Sequence, residues 1–230
     1  MKRVLFVDHV SRILGGAEIN LLELLAAAST GKQWTVACAC PAEGRLGEAV
    51  VPLGIAHWNY APPAGLNALR LVDRRFDLQG ALRGLRSLAV ARRQLRIIVE
   101  KFAPDAVVSC TNKDHFAAAS ACRHFSLPSV WWVNDIVSPE FFSWPVRAVF
   151  RHQARRGAAR VVTVSDYARQ ALVREGLRPE SVVTIHNGIP MEKYSSRRTG
   201  ALRQQLKLEP ERTLIGMVGV RVGVFVGTPV

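Results

Sequence analysis

Short apolar runs of strand length alternate with longer segments in which apolar residues recur every three or four positions. Residues 4–7 (VLFV) form a continuous apolar run, the pattern of a strand buried on both faces of a parallel sheet. From Ala17 onward Ile19, Leu21, Leu22, Leu24 and Leu25 recur at helical spacing, with Glu18 and Glu23 on the early turns. The same alternation continues through strands expected at 34–40, 54–60, 105–110, 128–135, 159–165 and 181–190. Helices are expected at 45–53, 78–102, 115–125, around Arg147, and at 166–175. Strands alternating with helices predict an α/β fold, a doubly wound parallel sheet of Rossmann-like kind.

Between the first strand and helix lies a loop that ends in Gly15 and Gly16. Glycines at a strand-to-helix turn let backbone N–H groups and the helix dipole face an anion, because no Cβ blocks close approach. A plain tight turn satisfies the same pattern. The spacing is not G-x-G-x-x-G, so the dinucleotide fingerprint is absent.

In doubly wound sheets ligands bind outside the carboxyl ends of the strands. Polar residues gather at those ends: Asp8 and His9, Thr111 and Asn112, Asn134 and Asp135, Ser165, then His186 and Asn187. Ser165 with Asp166 also suits a helix cap, and strand-to-helix loops are polar in any case. Five such ends together predict a cleft.

Composition adds two constraints. Of 230 residues 49% are hydrophobic and 21% charged, which is globular. No apolar run has the length of a membrane span, and the first strand is broken by Asp8 and His9 before it can serve as a secretion signal. A cytoplasmic protein is expected. Cys38, Cys40, Cys110 and Cys122 lack metal or redox spacing and read as apolar filler, so no metal site is expected. The net charge of +13 favours anionic partners. Nine basic and three acidic residues lie between Arg70 and Lys101, and Arg147, Arg151 and Arg155 recur every four residues among Val146, Val149 and Phe150. That spacing places a basic stripe on one helix face, which suits a solvated surface or an anionic lipid surface at the inner face of the membrane. No nucleic-acid module pattern is present.

Four pieces, in order, resemble the N-terminal half of family 4 retaining glycosyltransferases of GT-B fold: "GGAE" at 15–18, "PSVWWVNDI" at 128–136, "VVTVSDYARQALVREG" at 161–176 and "VVTIHNGIPMEKY" at 182–194. The resemblance covers roughly residues 3–218. It implies a Rossmann-like domain over 1–190 and a crossover into a donor-binding domain over 191–230. It also implies sugar transfer from a nucleotide-sugar donor to a hydroxyl of a carbohydrate or lipid-linked acceptor, with retention and without a metal cofactor. Gly15 and Gly16 would lie against the donor phosphates, and Asn134 and Asp135 would sit by the reacting sugar. His9, Asn112, Ser165, His186, Asn187 and Gly188 would line the cleft. Asn134 stands where the family often has His or Arg, and an amide can position a hydroxyl but cannot act as a base at neutral pH.

After residues 213–219 (TLIGMVG) the family continues with an Arg, a Lys and a Glu-x7-Glu motif that hold the donor. Here "VRVGVFVGTPV" follows instead, which makes the chain resemble a truncated enzyme, inactive alone, or an acceptor- or membrane-binding half that works with a separate donor-binding chain. In that tail Val218, Val220, Val222, Val224 and Val226 alternate as in an exposed strand that adds little stability.

Overall fold

A computed structural model describes residues 1–10, 15–31, 33–64, 78–191, 200–209 and 212–213. The chain divides into two compact units, Met1–Ile189 and Pro190–Val230. The first unit runs β1 (Lys2–Val7), α1 (Gly16–Thr30), β2 (Trp34–Cys40), α2 (Arg45–Val50), a 3-10 turn at Val51–Leu53 and β3 (Ala56–Asn59). Next come α3 (Leu78–Phe102), β4 (Ala106–Ser109), α4 (Asn112–Phe125), β5 (Ser129–Val133), α5 (Trp144–Gly157), β6 (Arg160–Thr163), α6 (Asp166–Arg174) and β7 (Val182–Thr184). In the second unit the described residues hold α7 (Ala201–Gln205), closed by Arg203, which donates to the carbonyls of Glu209 and Arg212. The alternating valines after Gly219 lie outside the described residues.

Seven strands form one sheet in the order β3-β2-β1-β4-β5-β6-β7. Every pairing is parallel, so this is the doubly wound α/β sheet that the sequence pattern predicts. Residue alternation sends successive side chains to opposite layers. On one face Phe6, Val36, Cys38, Cys40 and Trp132 pack against Leu21 and Leu25 of α1 and Leu46 and Val50 of α2. On the other, Leu5, Val7, Ala37, Ala39 and Val107 pack against α3 and α4. Trp131, one residue before Trp132, points to this second face and joins Phe150 of α5 and Leu172 of α6. All four cysteines are free and buried in these layers, as apolar filler should be.

A neutral imidazole completes the second layer. His115 stacks on Trp131 with ring centroids 4.8 Å apart, and its Nδ1 hydrogen-bonds the Ser109 hydroxyl at 2.7 Å. Burial pushes its pKa down to about 3, so it stays uncharged and serves as core.

Helices α4 and α5 approach closely at Gly157. A Cβ built on Gly157 would stand 2.7 Å from the Ala119 Cβ and 3.2 Å from an Arg123 guanidinium nitrogen. Only a residue without a side chain allows this approach. Gly157→Ala is therefore expected to cost about 1–3 kcal/mol through overpacking, read as a melting temperature several degrees lower. An unchanged melt would show that the two helices separate freely.

Candidate functional site

The site is assembled at the carboxyl ends of β1, β4 and β5, in the middle of the sheet, with Tyr60 reaching in from the segment after the edge strand β3. Thr111 caps α4, its Oγ accepting the backbone N–H of Asp114 at 3.3 Å. This starts α4 at Asn112, three residues earlier than the apolar periodicity predicts, and folds Asp114 into the first turn, fully buried. Asp114 Oδ2 accepts from the His9 backbone N–H at 3.0 Å, from His9 Nδ1 at 2.9 Å and from the Thr111 hydroxyl at 2.7 Å. Its Oδ1 accepts from the Tyr60 hydroxyl at 3.0 Å. One carboxylate thereby ties together the ends of β1, β3 and β4.

The electrostatics follow from that arrangement. Burial alone would push the Asp114 carboxyl up, but the charge of His9 and the donated hydrogen bonds outweigh it and hold the group below the ordinary carboxylate range. Burial opposes charge on His9 too, yet Asp114 prevails and the imidazole pKa rises. Asp8, also buried, is pushed up to about 8, first by burial and then by the negative charge of Asp114. One Asp8 oxygen accepts the Val10 N–H at 2.9 Å, while the other has no partner among the described residues. Near neutral pH the cluster holds one anion, one proton on a carboxyl, and an imidazole fixed through Nδ1. Its Nε2 is left to exchange a proton or a hydrogen bond.

Asp8, His9 and Asp114 present ligand atoms within 4.8 Å of one another. Asp114 Oδ2 already accepts from His9 and Thr111, with which a cation at that oxygen would compete.

The hydrogen bonds extend toward β5. Asn112 Nδ2 donates to Asp135 Oδ2 at 2.6 Å, and Asn134 Nδ2 reaches the Cys110 carbonyl at 3.5 Å, the limit of a hydrogen bond. Desolvation at the strand mouth raises the Asp135 pKa, against the lowering effect of Asn112. His9, Asn112, Asn134 and Asp135 thus share one rim. Ser165 and His186 stand further along it at β6 and β7: Ser165 Oγ caps α6 by accepting the Ala168 N–H at 3.2 Å, and His186 Nδ1 is 3.3 Å from the Val164 carbonyl. Asn187 and Gly188 are exposed in the segment after β7.

At the N-terminus of α1 the two glycines differ. The Gly15 N–H donates to Glu18 Oε2 at 2.6 Å, and a Cβ on Gly15 would come within 2.9 Å of that oxygen. Gly15 therefore makes room for an internal cap. Among the described residues a Cβ on Gly16 would meet nothing within 4 Å.

Arg147, Arg151 and Arg155 do share one face of α5, but that face is engaged by the end of α6. Arg147 pairs with the Glu175 carboxylate and donates to the Phe142 carbonyl at 3.1 Å. Arg151 donates to the Glu175 carbonyl at 3.3 Å, and Arg155 to that of Gly176. The stripe neutralises the negative end of a helix dipole. These groups are committed to a protein neighbour, which corrects the expectation of a free lipid-facing face.

Sequence reasoning missed Asp114 and Tyr60. Thr111-x-x-Asp114 carries the spacing of a helix N-terminal cap, which was the available signal for Asp114. Tyr60 has none.

The pH dependence of folding follows. The unfolded chain ionises Asp8 near pH 4, whereas the folded protein keeps that proton to about 8. A raised folded pKa gives stability that is complete below pH 4 and lost as pH rises toward 8. His9, also raised, acts in the same sense, while Asp114, lowered, contributes only above its unfolded pKa. Asp8→Asn is expected to melt higher than the parent at pH 8 and to converge with it at pH 4–5. A parent that melts as high as the variant at pH 8 would show that Asp8 is not held protonated.

The Glycosyltransferase Family 4 model matches residues 14–193. No curated protein matches the chain. Among solved structures the chain is similar to HepE of Anabaena in complex with UDP and glucose, with TM-score 0.66 and 23% identity over 90% of this chain and 50% of that one. A glycosyltransferase from Rickettsia africae gives TM-score 0.62 and 11% identity over 91% and 50%. The UDP-GlcNAc 2-epimerase from Neisseria meningitidis bound to UDP-GlcNAc gives 0.56 and 16% over 89% and 52%. At these identities the likeness shows the shared fold, a Rossmann-like half of the GT-B kind, and the chain spans about half the length of the structures it matches. With the family model matched over residues 14–193, most of its length, the chain belongs to glycosyltransferase family 4.

Proposed function

We propose that this chain is the acceptor-side half of a glycosyltransferase that moves a sugar from a nucleotide-sugar donor to a hydroxyl of a carbohydrate or lipid-linked acceptor, with retention. The observation that carries the reading is the rim at the first turn of α4, where Asp114 holds His9 and Asn112 holds Asp135, within a chain of this family. A hydroxyl acceptor needs a group that orients it and shares its proton, and a histidine fixed at Nδ1 by a buried carboxylate presents one. Asp135 and Asn134 bear on the reacting sugar from β5. The N-terminus of α1 at Gly15 and Gly16 receives the donor phosphates. No metal is called on in this reading.

The donor's nucleotide is held by a second, donor-binding half. That half works on the same polypeptide or as a separate chain, in which case this chain is a non-catalytic acceptor-binding subunit. Similarity to an epimerase on the same fold means that fold alone does not choose the reaction; the family match favours transfer.

The 230-residue chain is expected to release nucleotide from UDP- and GDP-sugars only at background rate. Joining residues 1–189 to the donor half of a family 4 relative is expected to produce transfer to a carbohydrate or lipid-linked acceptor. In that chimera Asp135→Asn should lower kcat about 10²-fold or more. Gly16→Ala should raise KM for the nucleotide sugar while the fold melts no lower, since nothing crowds that position. A folded chimera that binds nucleotide yet transfers to no acceptor would overturn the assignment.

A further inference from the structure

Among the described residues the carboxylate of Asp114 carries its hydrogen bonds unevenly. Oδ2 accepts from the His9 N–H at 3.0 Å, from His9 Nδ1 at 2.9 Å and from the Thr111 hydroxyl at 2.7 Å, whereas Oδ1 accepts only from the Tyr60 hydroxyl at 3.0 Å. The torsion that orients a carboxylate is soft and its two oxygens are equivalent acceptors, so an unrestrained group would turn until the donors were shared between them. Tyr60 opposes that rotation, because any turn that brings Oδ1 toward His9 and Thr111 takes it away from the phenol.

Tyr60 is itself held on both sides. Its ring is fully buried in the layer that α3 and α4 form. Its N–H extends the β3–β2 ladder onto the Cys40 carbonyl at 3.0 Å, and Gln94 Nε2 of α3 donates to the carbonyl of the next residue, Ala61, at 3.3 Å. Burial and then the charge of Asp114 push the phenol well above its ordinary range, which keeps the hydroxyl a donor. At the other oxygen His9 presents Nδ1 to Asp114 Oδ2 and, at 3.1 Å, to the Thr111 hydroxyl. An ionised carboxylate only accepts, so the proton of this contact belongs to Nδ1, and Nε2 carries the lone pair whenever the ring is neutral.

We propose that Tyr60 is a positioning residue for His9: by occupying Oδ1 of Asp114 it keeps Oδ2 on Nδ1, and so holds the imidazole in its Nδ1–H form with Nε2 left for an acceptor hydroxyl. The use of Nε2 rests on the transfer proposed above, whereas the chain from Tyr60 through Asp114 to His9 does not. Tyr60 has no access to water and acts only through the carboxylate. Removing its hydroxyl leaves Oδ1 bare in a dry site, where an unsatisfied acceptor is costly. The carboxylate relieves that cost by turning until a donor crosses from Oδ2 to Oδ1, and the imidazole loses its fixed partner. A hydroxyl with a structural role alone would satisfy Asp114 and leave the state of His9 unchanged when removed.

The test reads the imidazole directly, by nitrogen NMR of the full 230-residue chain at a pH above the titration of His9, whose signals are assigned by their loss in His9→Gln. The parent is expected to show a single neutral tautomer, protonated at Nδ1. Tyr60→Phe, which keeps the buried ring, is expected to give Nδ1–H and Nε2–H forms in exchange, their ratio about tenfold or more below the parent's. Tyr167→Phe, at an exposed position, should leave the His9 signals unchanged. Should Tyr60→Phe fail to fold, replacing the tyrosines by monofluorotyrosine keeps ring and hydroxyl but strengthens the donor. That chain is expected to show a displaced His9 Nδ1 signal, and Tyr167→Phe in the same background to keep the displacement. In the chimera described above, Tyr60→Phe should lower kcat about tenfold while the KM for the nucleotide sugar stays within about twofold, because the change falls on the acceptor's proton and not on donor binding. Parental His9 signals in Tyr60→Phe or in the fluorinated chain would overturn the proposal, even with a lowered melting temperature, and so would a rise in KM without a fall in kcat. A chimera that transfers nothing, beside a Tyr60→Phe chain that frees the tautomer, would leave the positioning standing and remove the transfer reading.

Discussion

A single buried carboxylate organises the functional end of this domain. Asp114 has no access to water, and an unpaired charge there would be prohibitive, so its environment must supply donors from several directions. They come from His9 after β1, Tyr60 after β3 and Thr111 after β4, segments that the chain order separates by about fifty residues each. Hydrogen-bond satisfaction of one group therefore fixes the relative height of three strand ends. The fixed imidazole of His9 and the Asn112–Asp135 contact inherit their positions from it. Loss of the carboxylate would leave two hydroxyls and an imidazole without their acceptor, the costly half of the asymmetry in buried hydrogen bonding.

The same economy governs the protons. Two carboxyls this close in a dry site cannot both ionise, so Asp8 keeps its proton while Asp114, richer in donors, gives its own up. The division of roles is set by partners rather than by chemistry, since the two side chains are identical. His115, only one residue from Asp114, belongs to a different regime: stacked on Trp131 and neutral, it takes no part in the charge balance of the rim.

How much of this the sequence discloses depends on the range of the interaction. Continuous apolar runs mark β2 and α3 at their observed bounds, because burial on both sheet faces and a helical stripe leave direct traces in local composition. The start of α4 is hidden: Thr111 and Asn112 look like a polar strand mouth, and only the cap geometry shows that they begin a helix. His9, Asn112, Asn134 and Asp135 are legible as strand-end polar residues, whereas the Tyr60–Asp114 bond joins residues whose pairing has no sequence mark. The basic stripe of α5 illustrates the reverse error. Its periodicity is real, but periodicity reports which residues share a face and not what that face meets, and α6 meets it.

Glu18 at the head of α1 has one more implication. The helix end that a phosphate would approach already holds a negative group, tethered three residues away and bonded to the Gly15 amide. A tethered competitor acts at an effective concentration on the order of millimolar or higher. Free inorganic phosphate, with nothing but the helix end to hold it, meets that competition in full. A ligand that grips the protein elsewhere, as a phosphate carried between a sugar and a nucleoside does, brings an effective concentration of its own and can move the carboxylate aside. On the reading proposed above, the internal cap would favour an anion that arrives as part of a larger molecule over free phosphate.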